Sequence, residues 1–223
     1  MSRGPFEPLL QELPETIALF PLPGALLLPG GRLPLNIFEP RYLAMVQAAM
    51  ATPHRMIGMI QPQADNGHYF EIGCAGRIAE FSESDDGRFI ISLAGTARFT
   101  CQKTELQPAG YLTGAVDFSA FAHDLEPDTG LIDRDKLCAI LKSYFDVKGF
   151  SADWSHIEEC EDERLVTTLS MICPFGNSEK QALLESQDLV ARSQLLIAML
   201  EMSVLSQDRS GADTQPSEAG QTH

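Results

Sequence analysis

The chain has 223 residues and a formal net charge of −15, with 44% hydrophobic and 21% charged residues, the balance of an ordinary globular protein that can bury a core without covalent staples. So acidic a surface repels phosphate backbones and anionic lipid, which argues against nucleic-acid or membrane partners. With no apolar run approaching the roughly 18 residues of a membrane span and no basic-then-apolar order at the amino terminus, the expectation is a cytoplasmic protein.

Residues 1–14 read as an amino-terminal extension. Ile17–Leu22 and Leu33–Phe38 then read as short strands around a Pro29-Gly30-Gly31 turn. Pro21, Pro23, Pro29 and Pro34 have no backbone N–H to donate, so these strands are expected at edges, bulges or interruptions rather than in the centre of a sheet. Glu39-Pro40 opens a helix, with proline at its first position and Tyr42, Met45, Val46 and Ala49 at helical spacing. Further strands are expected at 55–61, 69–83, 88–94, 97–104 and 111–118, with Asp85-Asp86-Gly87 as a hairpin turn. So many strands with one helix make residues 15–120 a curved sheet or pseudo-barrel.

The period changes after an acidic, proline-containing segment, 122–128, that suits a surface linker. Leu137, Ile140, Leu141 and Tyr144 mark one helical stripe and Leu165, Thr168, Leu169 and Ile172 another. Gly149 and Pro174 are their stops. Ser178 to Gln181 has the form of a capping box that starts a third helix, and 188–206 forms a fourth. Residues 121–206 are thus a helical bundle, which makes the fold class α+β, and 207–223 read as a disordered tail. The charge is uneven: residues 1–120 carry 8 basic and 12 acidic side chains, the remainder 8 and 19.

Phe20-Pro21-Leu22, Pro29-Gly30, Leu33-Pro34-Leu35 and Ile37-Phe38-Glu39-Pro40-Arg41-Tyr42 resemble the opening of the Lon protease amino-terminal domain, of the peptidase S16 Lon-domain family. Gly73 to Ile78, the Asp86-Gly87-Arg88 turn and Gly95 to Phe99 are similar to its later strands, in the same order. The resemblance covers roughly residues 15–205. It implies a PUA-like curved β module with a helical half, and a polypeptide-recognition role like that of the substrate-binding domain of the ATP-dependent protease.

Chemistry is sparse. The lysines at 103, 136, 142, 148 and 180 never follow glycine, as a P-loop G-K-[ST] requires, and there is no G-x-S-x-G elbow or Ser-Lys arrangement. The chain is therefore read as a recognition part without ATPase or protease, with no cofactor. The five histidines lack H-x-H or H-E-x-x-H spacing. His156 and Cys160, flanked by Glu159 and Glu163, could share a face only if 155–173 were one helix, so no metal is expected. The five cysteines lack C-x-x-C spacing and read as reduced thiols.

The candidate polypeptide-binding residues are Phe20, Leu22, Leu35, Phe38, Glu39, Arg41 and Tyr42. Within this set Glu39 is read as a helix cap and Arg41 as pairing across the fold, with Phe38 more readily buried than Tyr42. Arg77, Arg88 and Arg98 read as a solvated, mixed-charge strand surface among Glu80, Glu83, Asp85 and Asp86. The leading expectation is capture of unfolded or flexible polypeptides, alone or beside a protease or ATPase. The alternative is an adaptor that docks its acidic helical half onto a folded partner, separable by its salt dependence.

Overall fold

The structure, a computed structural model, describes residues 8–63, 67–128 and 130–212; part of the expected extension (1–7) and part of the expected tail (213–223) lie outside the described residues. In chain order come β1 (Thr16–Pro21), β2 (Arg32–Ile37), α1 (Pro40–Met50), β3 (Met56–Ile60), β4 (Pro62–Gln63), β5 (His68–Tyr69), β6 (Ile72–Glu83), β7 (Phe89–Leu106) and β8 (Leu112–Asp117). The helices α2 (Arg134–Lys148), α3 (Trp154–Glu159), α4 (Asp162–Ile172), α5 (Asn177–Glu185) and α6 (Leu189–Ala212) follow.

Six strands form one mixed sheet in the order β2-β7-β6-β3-β1-β8, and β8 also pairs with β7. The ring β7-β6-β3-β1-β8 therefore closes, leaving β2 outside it on β7. Closure depends on β7, an 18-residue strand where the sequence suggests two. Its first half pairs with β2, from Phe89 opposite Ile37 to Ala94 opposite Arg32. Its second half pairs with β8, from Thr100 opposite Asp117 to Leu106 opposite Leu112. A register shift where Ala75–Gly76 of β6 face Gly95–Ala97 leaves Thr96 as the extra residue, and such a bulge bends a strand.

Period-2 alternation sorts the side chains into two cores. Ile17, Leu19, Met56, Ile60, Ala97, Phe99 and Val116 fill the ring, with Leu13 and Phe118 joining them. The alternate residues Ala18, Phe20, Ile57 and Met59 face outward into a larger core shared with α1 and the carboxy-terminal helices. Leu13 thus carries the segment read as an extension into the barrel core, just after a 3-10 turn at Leu10–Glu12.

Gly95 explains how the Leu26–Gly31 loop is held. It donates to the Gly31 carbonyl at 2.9 Å and accepts from the Gly30 N–H at 3.1 Å. A Cβ on Gly95 would stand 2.0 Å from the Leu28 carbonyl oxygen, so only glycine permits this approach. The loop brings Leu26, Leu27 and Leu28, all buried, into the larger core.

The helical layer departs from the expected plan in definite ways. Asp133 caps α2 by accepting from the Lys136 N–H at 3.0 Å, and Gly149 ends it in the left-handed region at φ 68°. α3 has only six residues and no apolar stripe, so periodicity misses it, although Asp153 caps it through the Ser155 N–H. α5 begins at Asn177, because Glu179 reaches back to the Gly176 N–H at 2.7 Å and no box forms from Ser178. α6 runs to Ala212, past the expected end at Ser206. Its segment Leu189–Ser206 has the length and mean hydropathy of a membrane span, contrary to the reading that no run approaches one. Leu196, Ile197 and Leu200 of that segment lie in the core, and Arg192 is buried with Nε donating to the Leu183 carbonyl at 3.1 Å.

Two further expectations are corrected. β1 is an interior strand, parallel to β3 and antiparallel to β8, and its Pro21 is tolerated because it is the last residue. The 122–128 segment is structural, with a 3-10 stretch at Ser119–Leu125 that carries the buried Asp124.

Candidate functional site

β2 is the edge of the six-stranded sheet, as its Pro34 foretells, and among the described residues it pairs with β7 alone. An edge strand presents one alternate set of backbone N–H and C=O groups away from its neighbour, ready for another chain. Along β2, Leu33, Leu35 and Ile37 turn toward the core while Arg32, Pro34 and Asn36 are exposed. Continuing that alternation places Phe38 on the outer face, where it is 62% exposed.

The neighbouring β7 extends this outer face. Ile90 lies opposite Asn36 and is 51% exposed. The Arg88 guanidinium sits 5.9 Å from the Phe38 ring centre and is itself held by Asp86 at 2.8 Å. Hydrogen bonding to the Ser84 hydroxyl keeps the Asp86 carboxyl below its ordinary range, with Arg88 adding to the effect. The outer face therefore has two exposed apolar side chains beside an open backbone edge, framed by a fixed ion pair.

The seven candidate residues separate by depth. Phe20 and Tyr42 are buried, their ring centres 4.4 Å apart, so Tyr42 and not Phe38 is the aromatic the core takes. The cause is position: Tyr42 begins the inward stripe of α1, whereas Phe38 lies beyond β2 on its solvent side. Burial pushes the Tyr42 phenol above its ordinary value, with the Arg41 guanidinium, 4.5 Å from its ring centre, pulling the other way. Leu22 and Leu35 are half-buried against the core.

Glu39 occupies the cap position of α1 by backbone geometry but makes no side-chain cap bond. It pairs instead with Arg41, at 2.8 Å to Nη2 and 2.9 Å to Nε, so the expected cap and the expected pairing across the fold are both replaced by a local one. Both side chains are about half exposed, and such a pair contributes about 0–1 kcal/mol to stability, which leaves its polar groups available to a ligand. Only Phe38, Glu39 and Arg41 of the seven form an accessible surface. Ile90 and Arg88 were missed, because only the strand register brings them to Phe38.

The other candidate clusters do not assemble a site. Arg77 reaches the His54 carbonyl at 2.5 Å, and Arg98 is 1% exposed, which corrects the reading of it as solvated. The chain leaves helical geometry at Cys160, so His156 and Cys160 do not share one continuous helix. Among the described residues no three of His, Cys, Asp and Glu converge as a metal site would require.

Residues 16–202 match the family model of the ATP-dependent protease La (LON) substrate-binding domain. The chain belongs to this Lon substrate-binding domain family. A curated relative, Lon protease 2 of Myxococcus xanthus, is 23% identical over 199 residues, which cover 85% of this chain and 24% of that protein. The chain thus spans about a quarter of that relative's length. The Lon N-terminal domain protein from Xanthomonas campestris is similar in structure, with a TM-score of 0.58 and 24% identity over 82% of this chain and 97% of that one. The N-terminal domain of the Mycobacterium avium complex Lon protease gives a TM-score of 0.62 and 17% identity, over 83% of this chain and 98% of that one. The α+β architecture is that of the Lon N-terminal domain, and Phe38 with the β2 edge lies inside the matched region.

Proposed function

We propose that this chain is a non-catalytic recognition module that binds unfolded or flexible polypeptides along the open edge of β2, in a cytoplasmic setting. Phe38 and Ile90 supply apolar contact, and Glu39 and Arg41 supply polar contact at the end of the strand. Membership of the Lon substrate-binding family supports the ligand class. The observation that carries the location is the edge strand that terminates in an aromatic side chain 62% exposed to solvent. Strand addition at such an edge takes affinity from main-chain hydrogen bonds and selectivity from alternate side chains.

Magnitudes make the binding weak. Burying about 400 Å² of apolar surface at about 25 cal/mol/Å² yields about 10 kcal/mol, and association costs of about 4–15 kcal/mol remove most of it. Affinity for a single peptide is therefore micromolar or weaker, and avidity from self-association or from a protease or ATPase partner would raise it. Fluorescence anisotropy with labelled peptides from an unfolded protein tests the reading. Weak, salt-tolerant binding that falls on Phe38→Ser supports it, and binding indifferent to Phe38→Ser and Ile90→Ser overturns it.

A further inference from the structure

A second surface lies away from the sheet edge. Residues of α3 and α4 and the turn between them line a groove of about 580 Å³, within the size range of ligand-binding clefts. Leu165, Leu169 and Ile172 lie along its α4 wall at i, i+4 and i+7. Ile157 lines the α3 wall, Cys160 sits in the extended turn between the two helices, and Phe145 of α2 also contributes. Ile172 is 65% exposed, a large apolar side chain at solvent. The polar members, such as His156, Glu159 and Arg164, are all exposed, so the groove has an apolar floor and a polar surround.

Charge selects the occupant. The lining itself holds one acid, Glu159, and one arginine, Arg164; the acidic excess is at its margin, where Asp153, Glu158 and Glu161 are exposed and Lys142 stands over the Trp154 ring. Residues 121–223 carry 8 basic and 19 acidic side chains, so a second copy of this chain would bring like charge to like. An extended polypeptide cannot add a strand to helical walls, whose backbone groups are already paired. A helix with apolar residues at i, i+3, i+4 and i+7 matches the spacing of the α4 wall.

We propose that the α3–α4 groove receives an amphipathic helix of a partner protein, apolar on its inward side and rich in lysine or arginine along its flanks. This gives the acidic helical half a defined docking place, and it stands independently of the β2 edge. Removing the Ile172 contact forfeits roughly 1.5–3 kcal/mol, about a tenfold to hundredfold loss of affinity.

The test uses the full chain and two labelled synthetic helical peptides with the same leucine positions, one with lysine flanks and one with glutamate flanks. Expected is binding of the lysine peptide that weakens steeply with salt, exceeds that of its glutamate twin, and drops at least about tenfold on Ile172→Ser. Glu159→Lys narrows the difference between the peptides, while Phe38→Ser changes nothing. In a Cys101→Ser, Cys138→Ser background the bound peptide also shields Cys160 from a thiol reagent. Since Ile172 is exposed, its replacement leaves the fold intact. No binding, equal binding of the twins, or an Ile172→Ser variant that binds like the parent overturns the proposal; loss on Phe38→Ser instead assigns the peptide to the sheet edge and overturns it too.

Discussion

Arg98 and Asp124 form a buried ion pair that ties the barrel to the helical half. Nη2 lies 2.7 Å from Oδ1, Nε lies 2.9 Å from Oδ2, and the two side chains are 1% and 5% exposed. The remaining guanidinium nitrogen donates to the carbonyls of Leu184 at 3.1 Å and Ser186 at 2.6 Å, at the turn between α5 and α6. Asp124 also accepts the Arg98 backbone N–H at 2.9 Å. One side chain from β7 therefore organises the 3-10 linker and the helix turn together. Removing one partner leaves the other charge buried and unpaired, so Asp124→Ala is expected to cost about 3–5 kcal/mol, read as a lowered urea midpoint. Replacing both by apolar residues of similar volume costs less than the single change, and a double-mutant cycle measures the difference.

The candidate site divides into surface and core, and stability should divide with it. Phe38→Ser is expected to stay within about 0.5 kcal/mol of the parent because the ring is exposed. Tyr42→Ala, which empties the place against Phe20, is expected to cost about 3–5 kcal/mol. Equilibrium urea unfolding checks both. A large loss from Phe38→Ser would mean that the ring is packed, and would remove it from the binding face.

Much of this was legible in the sequence. Pro34 marks β2 as an edge, Pro40 marks the start of α1, and the Leu137–Tyr144 and Leu165–Ile172 stripes mark two helices, because each rests on a local rule of backbone or period. What was not legible depends on tertiary partners. Arg98 resembles any strand arginine until Asp124, 26 residues on, and Ser186, 88 residues on, close around it. Phe38 and Tyr42 are both aromatics in one apolar block, and their depths follow from which side of β2 and which stripe of α1 meets the core. Ile90 joins the site only through its register with Asn36.

Lys180 should make stability depend on alkaline pH. It is buried, with Nζ donating to the carbonyls of Gly24 at 2.6 Å and Met171 at 3.3 Å, and burial lowers its pKa below the ordinary lysine value. Between the lowered folded value and the unfolded one, the unfolded chain holds the proton and the folded chain does not. Its penalty is therefore fully present below the folded value and disappears as pH rises to the lysine range, so stability rises with pH. Cys173 acts in the opposite sense, since burial raises its thiol to about 11 and stability falls as the unfolded thiol ionises first. Because the Lys180 ammonium and the Cys173 thiol act on each other, the comparison is made in a Cys173→Ala background, where the difference with and without Lys180→Met should shift in favour of the lysine as pH rises.

Thiol reactivity gives an independent check on packing. Cys74 and Cys173 are buried and Cys101, Cys138 and Cys160 are half-buried, and burial pushes up the thiols of Cys74, Cys173 and Cys101. A thiolate-selective reagent should modify the three half-buried thiols in the folded protein, Cys101 more slowly because burial leaves it less thiolate, and Cys74 and Cys173 only on unfolding. Mass spectrometry of the labelled chain assigns the sites. Early labelling of Cys74 would mean that the larger core is open.

The loop that delivers Leu26–Leu28 to the core should be the most sensitive point of the β half. Gly95→Ala places a methyl group 2.0 Å from the Leu28 carbonyl oxygen, a contact no rotamer can relieve because both atoms belong to backbone-fixed positions. Gly87 provides the control: its φ is 78° and nothing lies within 4 Å of an added Cβ, so alanine there meets only the left-handed penalty of about 1–2 kcal/mol. Gly95→Ala must instead push the loop off β7, breaking the bonds to Gly30 and Gly31 and loosening three buried leucines. Its cost is expected to exceed that of Gly87→Ala in urea unfolding. Since β2 follows directly from this loop, amide exchange should also quicken from Leu26 into Leu35 in the Gly95 variant and stay unchanged there in the Gly87 variant. Equal costs for the two alanines would show that Gly95 does not clamp the loop.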